Sequence, residues 1–359
     1  MKPRNKYKVI GLMSGTSLDG LDIVYCKIKV GKKSKKFEIL SATTKKYAPD
    51  WKRKLASAHI LTASQLFSLD HDYGQYLAKA TLDFIKENKI NDVDFIASHG
   101  HTIFHQPKNR FTYQLGSGQT IYDVSGLPVV FDFRSLDVIR GGEGAPLVPI
   151  GDRYFFSEYD ICLNLGGIAN LSMELKGKRV AFDFCFANMG LNYLAAKAGK
   201  EFDKNGKLAF SGVVNNMMLK KLDAVYKPLR KKRQSLGRES FEKSIKSILN
   251  NGAIPLPNRL RTLCESIAIE TANAVPAKKK KMKLLATGGG ALNSYLIKVL
   301  ERKLKGKAEI VIPNKQVVEF KEALIFALLG VLRVRGEVNC LKSVTGANRD
   351  SSVGVMVGF

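Results

Sequence analysis

Apolar residues in this chain fall into short blocks closed off by small or polar residues. The blocks Tyr7-Lys-Val-Ile10 and Ile23 to Val30 predict two strands. They flank Gly11-Leu-Met-Ser-Gly-Thr-Ser-Leu-Asp-Gly-Leu-Asp22, read as a hairpin whose tip carries Ser14, Gly15, Thr16, Ser17 and Gly20. Lys52 to Asn88 predicts helix, with an N-cap at Thr62 or Ser64 and apolar positions Leu66, Phe67, Tyr73, Leu77, Leu82, Phe84 and Ile85. Asp94 to Ser98 is a short buried strand that runs into His99-Gly-His-Thr-Ile-Phe-His105. Pro128 to Phe133 is another strand and ends at Arg134. Strands alternating with helices argue for an α/β architecture.

The stretch Arg140 to Pro149, rich in Gly and Pro, marks the crossing between two domains. After it the opening pattern returns. Asp160 to Leu165 is a strand, Gly166-Gly167 a tight turn, and Ile168 to Met173 a returning strand. Strand, glycine turn, strand therefore occurs near the start of each half, a duplication on the scale of a domain. The expected division is an N-terminal lobe at 1–139, joined by the tail at about 336–359, and a C-terminal lobe at 140–335. A third glycine junction, Thr287-Gly-Gly-Gly290, sits between a strand and a helix capped by Asn293 or Ser294. Such a junction can set a helix N-terminus beside phosphate or ribose, or it can be a close-packing turn. Glu319 to Arg335 predicts a helix with Phe320, Leu324, Ala327, Leu328 and Val331 on one face. Val344 to Ala347 reads as loop and Ser351 to Phe359 as a final strand.

Composition changes this picture little. A chain of 359 residues suits about two domains, and 45% hydrophobic with 25% charged residues is ordinary for a globular protein. The longest strongly apolar run, Ala323 to Leu332, is too short for a bilayer. Met1-Lys-Pro-Arg-Asn-Lys6 has no apolar core of a secretory signal. The five cysteines are scattered without a C-x-x-C pair, which argues against a disulfide framework or structural zinc and for a reducing, cytoplasmic setting. The net charge of +26 gathers at Lys32 to Lys36, Lys227 to Arg233 and Lys278 to Lys283. These runs lack interleaved aromatics, so the expectation is a solvated basic surface and no nucleic-acid or membrane partner.

Small side chains at the first tip let a ligand approach the backbone, whose N–H groups and hydroxyls can face an anion. Asp19 and Asp22 add carboxylates that can hold a hydrated metal or orient water. The same residues also make an ordinary polar turn. Arg134 can fork onto a carboxylate or phosphate, or pair with Asp132 or Asp137. Glu322 precedes an apolar helix face and can be a site residue or a surface charge. His99 and His101, two apart on a strand, would place both rings on one face; hydrogen bonding to a substrate, packing and zinc ligation all fit that pattern.

Nine stretches, in order, resemble the anhydro-N-acetylmuramic acid kinase family, within the sugar kinase, heat-shock ATPase and actin superfamily. They are Gly11 to Asp22, Ser98 to Thr102 with His105 to Pro107, Asp132 to Arg134 with Asp137, Gly141 to Pro146, Asn164 to Asn170, Gly237 to Glu239, Thr287 to Gly290, Glu322-Ala323 and Val344 to Ala347. The resemblance implies two similar α/β lobes around a central nucleotide cleft. It implies a kinase that hydrolytically opens 1,6-anhydro-N-acetylmuramic acid and phosphorylates O6 with ATP, giving N-acetylmuramic acid 6-phosphate and ADP in peptidoglycan recycling. ATP with Mg2+, a small anhydro amino sugar and a homodimer follow as cofactors and partners.

In that reading ATP is held by Gly15, Thr16, Ser17, Leu18, Asp19, Gly20, Leu21, Asp22, Gly166, Gly167, Thr287, Gly288, Gly289 and Gly290. Asp19 is the metal candidate, if need be through water. His99, Arg134, Asn188 and Glu322 are expected at the sugar, and Asp183 is the catalytic base. The family's usual Asp-Thr-Gly-Pro-Gly-Asn is here Asp183-Phe-Cys-Phe-Ala-Asn188, and a downstream Asp is Asn192. That departure keeps open a second reading, a nucleotide or muropeptide sensor on the same fold.

Overall fold

The computed structural model describes every residue except 1–3, 16–17, 32–34, 232–235 and 279. It divides the chain into two compact units, residues 1–155 with 320–359, and residues 156–319. In chain order the first unit contributes β1 (Lys6–Ser14), β2 (Gly20–Val30), β3 (Lys35–Lys46), β4 (Phe95–Gln106), β5 (Phe111–Leu115) and β6 (Val129–Phe131). The second contributes β7 (Ile161–Leu165), β8 (Ile168–Leu175), β9 (Lys178–Phe186), β10 (Met282–Thr287) and β11 (Ala308–Val311), and β12 (Val355–Val357) returns to the first.

The two sheets repeat one plan. In the first, the order is β12-β6-β4-β1-β2-β3, with β5 paired to β4. In the second it is β11-β10-β7-β8-β9. Each begins with an antiparallel meander, β1-β2-β3 or β7-β8-β9. Each then adds two parallel strands beside the meander's first, β4 and β6 or β10 and β11. The duplication expected from the glycine turns is thus a duplication of topology.

Both sheets are cored as the apolar blocks dictate. Ile10, Leu12, Leu21 and Ile23 pack with Tyr73, Leu77 and Phe84 from the helix Ala63–Glu87. That helix starts at Thr62, which forms a capping box with Gln65, so the first candidate cap is the one used. The expected single helix from Lys52 is two, Pro49–Ser57 and Ala63–Glu87, with a 3-10 turn between. Phe67 and Leu82 lie off its buried face, 64% and 38% exposed. On β1, Gly11 is a packing requirement: a Cβ there would sit 2.1 Å from the Ala323 carbonyl oxygen. Only glycine lets the helix Lys315–Val334 come that close. In the second unit Leu163, Leu165, Leu171, Phe184 and Phe186 pack with Leu260, Leu263 and Ile267 of the helix Leu256–Ala274.

The unit boundaries fall at 155/156 and 319/320, not at the 139/140 and 335/336 drawn from composition. The Gly- and Pro-rich stretch explains the first shift, because it is bound into the first unit. Asp137, wholly buried, accepts from Gly144 N at 2.9 Å, Thr345 Oγ1 at 2.9 Å and Cys340 Sγ at 3.0 Å. Glu143 N donates to Thr345 O at 2.8 Å. A buried carboxylate is tolerated only when its lone pairs are met, so Asp137 welds this loop to the tail. The tail itself has a helical turn, Lys342–Thr345, where loop was expected. Its final strand pairs antiparallel with β6.

Candidate functional site

The first hairpin ends β1 at Ser14 and begins β2 at Gly20, with Ser14 opposite Leu21 and Met13 opposite Asp22. Thr16 and Ser17, both expected at the phosphates, lie outside the described residues. Leu18 is left-handed, φ 60°, and its N–H reaches Gly15 O at 3.3 Å. Asp19 is exposed at the tip. Asp22 accepts from Thr44 Oγ1 at 2.5 Å. Leu21 is a core side chain, so only its backbone is available to a ligand.

The histidine stretch lies on β4, beside β1, but the strand is irregular there. Gly100 has φ 73° and the register with β1 shifts. The two rings therefore have different partners rather than one shared face. His99 Nε2 accepts from Arg134 Nε at 3.0 Å, and its ring packs on Phe326 at 4.5 Å between centroids. His101 Nδ1 lies 2.8 Å from Ser14 Oγ. Burial holds His101 down at about 4 and His99 well below its ordinary value, with Arg134 adding to the second shift. Both rings are neutral at physiological pH. Among the described residues no group of three or more His, Cys, Asp or Glu side chains is placed to hold a metal.

Arg134 pairs with neither Asp132 nor Asp137. Asp132 caps the next helix by accepting from Ser135 N at 3.1 Å, and Asp137 is saturated as above. The guanidinium is instead clamped by His99 and by Gly144 O, which accepts from Nη1 at 2.8 Å. Burial lowers it to about 10, and the charge of Glu322 works the other way. Glu322 is open to solvent, yet the protein crowded around it raises its carboxyl, against the pull of Arg134 and Lys321. Lys321 itself is buried on Asp152, 2.7 Å away. The first unit thus brings His99, Arg134 and Glu322 into one electrostatic group.

In the second unit Gly166-Gly167 joins β7 to β8. Gly166 O accepts from Asn188 N at 3.0 Å, and Gly167 O accepts from Ala187 N at 2.9 Å and Met189 N at 3.1 Å. The carbonyls of the turn are thereby spent on the start of the helix Asn188–Ala196. Asn188 Nδ2 donates to Leu165 O at 2.8 Å. After β10, Gly288 has φ 81°, and a Cβ there would meet Asn164 Oδ1 at 2.5 Å. A Cβ on Gly290 would meet Leu165 Cβ at 2.7 Å and Asn188 Oδ1 at 3.0 Å. Asn293 caps the helix Ser294–Lys303, accepting from Leu296 N at 3.0 Å. Gly166, Gly167, Asn188 and Gly288 to Gly290 are therefore one assembly. Thr287 is buried beside it and donates to Leu163 O at 3.3 Å.

Asp183 lies on β9. It pairs with Asn170 where β9 carries a bulge, Ala169 facing Cys185 and Asn170 facing Asp183. A bulge re-aims side chains, which is how Phe182, Asp183 and Phe184 all line one cavity of about 80 Å³. Arg230 and Glu270 line it too, and they form a charge-assisted pair with Nε to Oε2 at 2.8 Å. Asp183 Oδ2 accepts from Leu236 N at 3.0 Å. Where the family's flexible turn would lie, Phe184, Cys185 and Phe186 continue the strand and are core. Arg230 and Glu270 carried no signal in the sequence, since they meet Asp183 only through the packing of two helices.

A family model for anhydro-N-acetylmuramic acid kinase matches residues 7–358. The anhydro-N-acetylmuramic acid kinase of Sulfurimonas denitrificans is 33% identical over 368 residues, covering 97% of this chain and 98% of that one. That of Caldanaerobacter subterraneus subsp. tengcongensis is 32% identical over 383 residues, covering 96% of each. Among solved structures, component A of the Acidaminococcus fermentans (R)-2-hydroxyglutaryl-CoA dehydratase overlaps 90% of this chain and 96% of its own, at 12% identity and a TM-score of 0.46.

Proposed function

This chain belongs to the anhydro-N-acetylmuramic acid kinase family, and we propose that it opens 1,6-anhydro-N-acetylmuramic acid with water and phosphorylates the freed O6 with ATP. It is a kinase, and nothing in the comparisons favours a sensor. The observation that carries the reading is the family match from residue 7 to residue 358, which takes in every motif named above.

The residues suit the parts assigned to them. Phosphoryl transfer is mostly positioning and charge neutralisation. Gly15 and Leu18 to Asp22 of the first tip, and Gly166-Gly167 of the second, are the residues assigned to the phosphates. A Cβ on Gly167 would find nothing nearer than Met189 at 3.8 Å, so the backbone there is open to a ligand. Gly288 to Gly290 take the nucleoside side. Magnesium carried on the phosphates takes few protein ligands. Asp19, exposed at the tip, is the residue to hold it, directly or through water. When bound, the ion neutralises charge developing on the transferring phosphoryl group.

Arg134, clamped by His99 and Gly144, presents Nη2 to the sugar's lactyl carboxylate, and Glu322 binds a sugar hydroxyl. Opening the anhydro bond passes through an oxocarbenium-like state and needs a base on the attacking water. Asp183 takes that proton. Asn188 holds the turn on which the sugar and phosphates rest. No helix among the described residues is long and apolar enough to cross a membrane. A cytoplasmic homodimer completes the proposal.

Coupled ATP turnover with 1,6-anhydro-N-acetylmuramic acid tests it. Turnover well above background is expected, and its absence in protein that still binds ATP sinks the reading. Asp183→Asn should lower kcat at least about a hundredfold with ATP affinity intact. A near-normal kcat would remove Asp183 as the base.

A further inference from the structure

We propose that Tyr47 is a positioning residue for the nucleotide phosphates, acting through a buried chain of hydroxyls that fixes both ends of the first hairpin tip. The proposal rests on the reading of that tip as a phosphate cradle and adds the device that holds it.

Ser14 is the last residue of β1 before the tip and is buried. Its Oγ accepts from Tyr47 Oη at 2.7 Å and lies 2.8 Å from His101 Nδ1. Tyr47 Oη in turn lies 2.6 Å from Tyr73 Oη. Tyr47 and Tyr73 are 4% and 0% exposed, so water does not compete for these bonds. The protons can be assigned in sequence. A phenol has one, and Tyr47 gives its own to Ser14, so Tyr73 must donate to Tyr47. Ser14 Oγ and His101 Nδ1 share the last bond, and the ring is neutral because burial keeps it at about 4. Tyr73, Tyr47, Ser14 and His101 thus form one continuous chain of hydrogen bonds.

Position gives the chain its consequence. Tyr47 directly follows β3, whose last residue, Lys46, pairs with Gly20 at the far end of the tip. Its hydroxyl reaches Ser14 at the near end. One side chain therefore spans the two strands that carry the tip. The restraint is needed because the backbone ladder between β1 and β4 shifts register between Leu12 and Ser14. The ring packs against Tyr73 and Tyr76, with centroids 6.4 Å and 5.8 Å away, and Trp51 packs on both of those partners. Tyr47→Phe should keep that packing and remove the hydroxyl that joins Ser14 to Tyr73.

The test is calorimetric binding of ADP with Mg2+, beside steady-state kinetics for ATP and for the anhydro sugar, on the full chain. Tyr47→Phe should weaken ADP five- to twentyfold and raise the KM for ATP in step, with the KM for sugar within twofold. Ser14→Ala should do the same. Tyr73→Phe should weaken ADP less, because Tyr47 still donates to Ser14. A merely structural role would move both KM values together and make Tyr73→Phe as harmful as Tyr47→Phe. ADP affinity within twofold of wild type in Tyr47→Phe overturns the proposal and leaves the kinase reading standing. Wild-type protein that binds no nucleotide overturns both.

Discussion

The hairpins β1-β2 and β7-β8 occupy the same place in the same strand order, yet they are held differently. The first is fastened from beneath by side chains: Ser14 to Tyr47 and His101, and Asp22 to Thr44. The second is fastened by its own carbonyls, which are spent on the residues that open the helix Asn188–Ala196. The two arrangements leave different groups to a ligand. At the first tip the carboxylate of Asp19 is exposed. At the second, Gly167 is exposed and has open space beside its Cα. The first hairpin therefore depends mainly on side chains, whereas the second depends mainly on backbone bonds, with Asn188 Nδ2 adding one to Leu165 O.

The contrast shows most strongly in acid. All five histidines of the chain lie in the first unit, and so does its one tryptophan, Trp51. His99 and His101 are neutral in the folded protein and titrate near 6.5 when unfolded. Between pH 6.5 and 4 the unfolded chain binds protons that the folded chain refuses. Their contribution is therefore complete above pH 6.5 and is lost as pH falls towards 4. Each costs about 1 kcal/mol between pH 6.5 and 5.5. Asp70, whose carboxyl burial pushes up, and Glu322, raised by the protein crowded around it, act in the opposite sense. Denaturant unfolding followed by Trp51 fluorescence should move to a lower midpoint at pH 5.5 than at pH 7.5. An unchanged midpoint would mean that the rings are not held neutral.

The next effect in size belongs to Gly20. A methyl group there would meet the Lys45 carbonyl oxygen at 2.7 Å and Thr44 Cγ2 at 2.8 Å. The obstacle is backbone of the neighbouring strand, so β3 must move with Tyr47 at its end. Gly20→Ala should cost about 1–3 kcal/mol, as overpacking does, and weaken nucleotide along with it. Wild-type stability in that variant would show that the two strands part without cost.

Much of this was legible because it is local. The Thr62 cap and the glycine turns after short apolar strands are patterns within a few residues, and they sufficed for the duplicated α/β plan. What was not legible depends on distance along the chain. Tyr73 showed only as an apolar position on a helix, and Tyr47 not at all, because their partner Ser14 is 33 residues from Tyr47. The loop from Arg140 to Pro149 looked like a linker, since the carboxylate and tail that bind it are supplied from Asp137 and Thr345. Asp183-Phe-Cys-Phe-Ala-Asn188 resembled an altered catalytic turn, but its apolar residues pack into the core and lengthen β9. The bulge that re-aims Asp183 depends on pairing with β8, which the segment's own residues do not reveal.

The smallest change in stability is the most discriminating one. Gly167 is exposed, its φ is not in the left-handed region, and a Cβ there meets only Met189 at 3.8 Å or beyond. Alanine fits without strain and removes freedom from the unfolded chain, so Gly167→Ala should leave stability unchanged or raise it by about 0.4–1 kcal/mol. The fold therefore gives no reason for glycine at this position. If phosphates approach the turn through its N–H side, the added methyl group stands in their way, and ADP affinity should fall while the melting temperature holds or rises. Loss of affinity without loss of stability assigns the glycine to the ligand. Equal affinity in a stable Gly167→Ala protein would make the second hairpin a turn and nothing more, and would leave the first hairpin as the phosphate site.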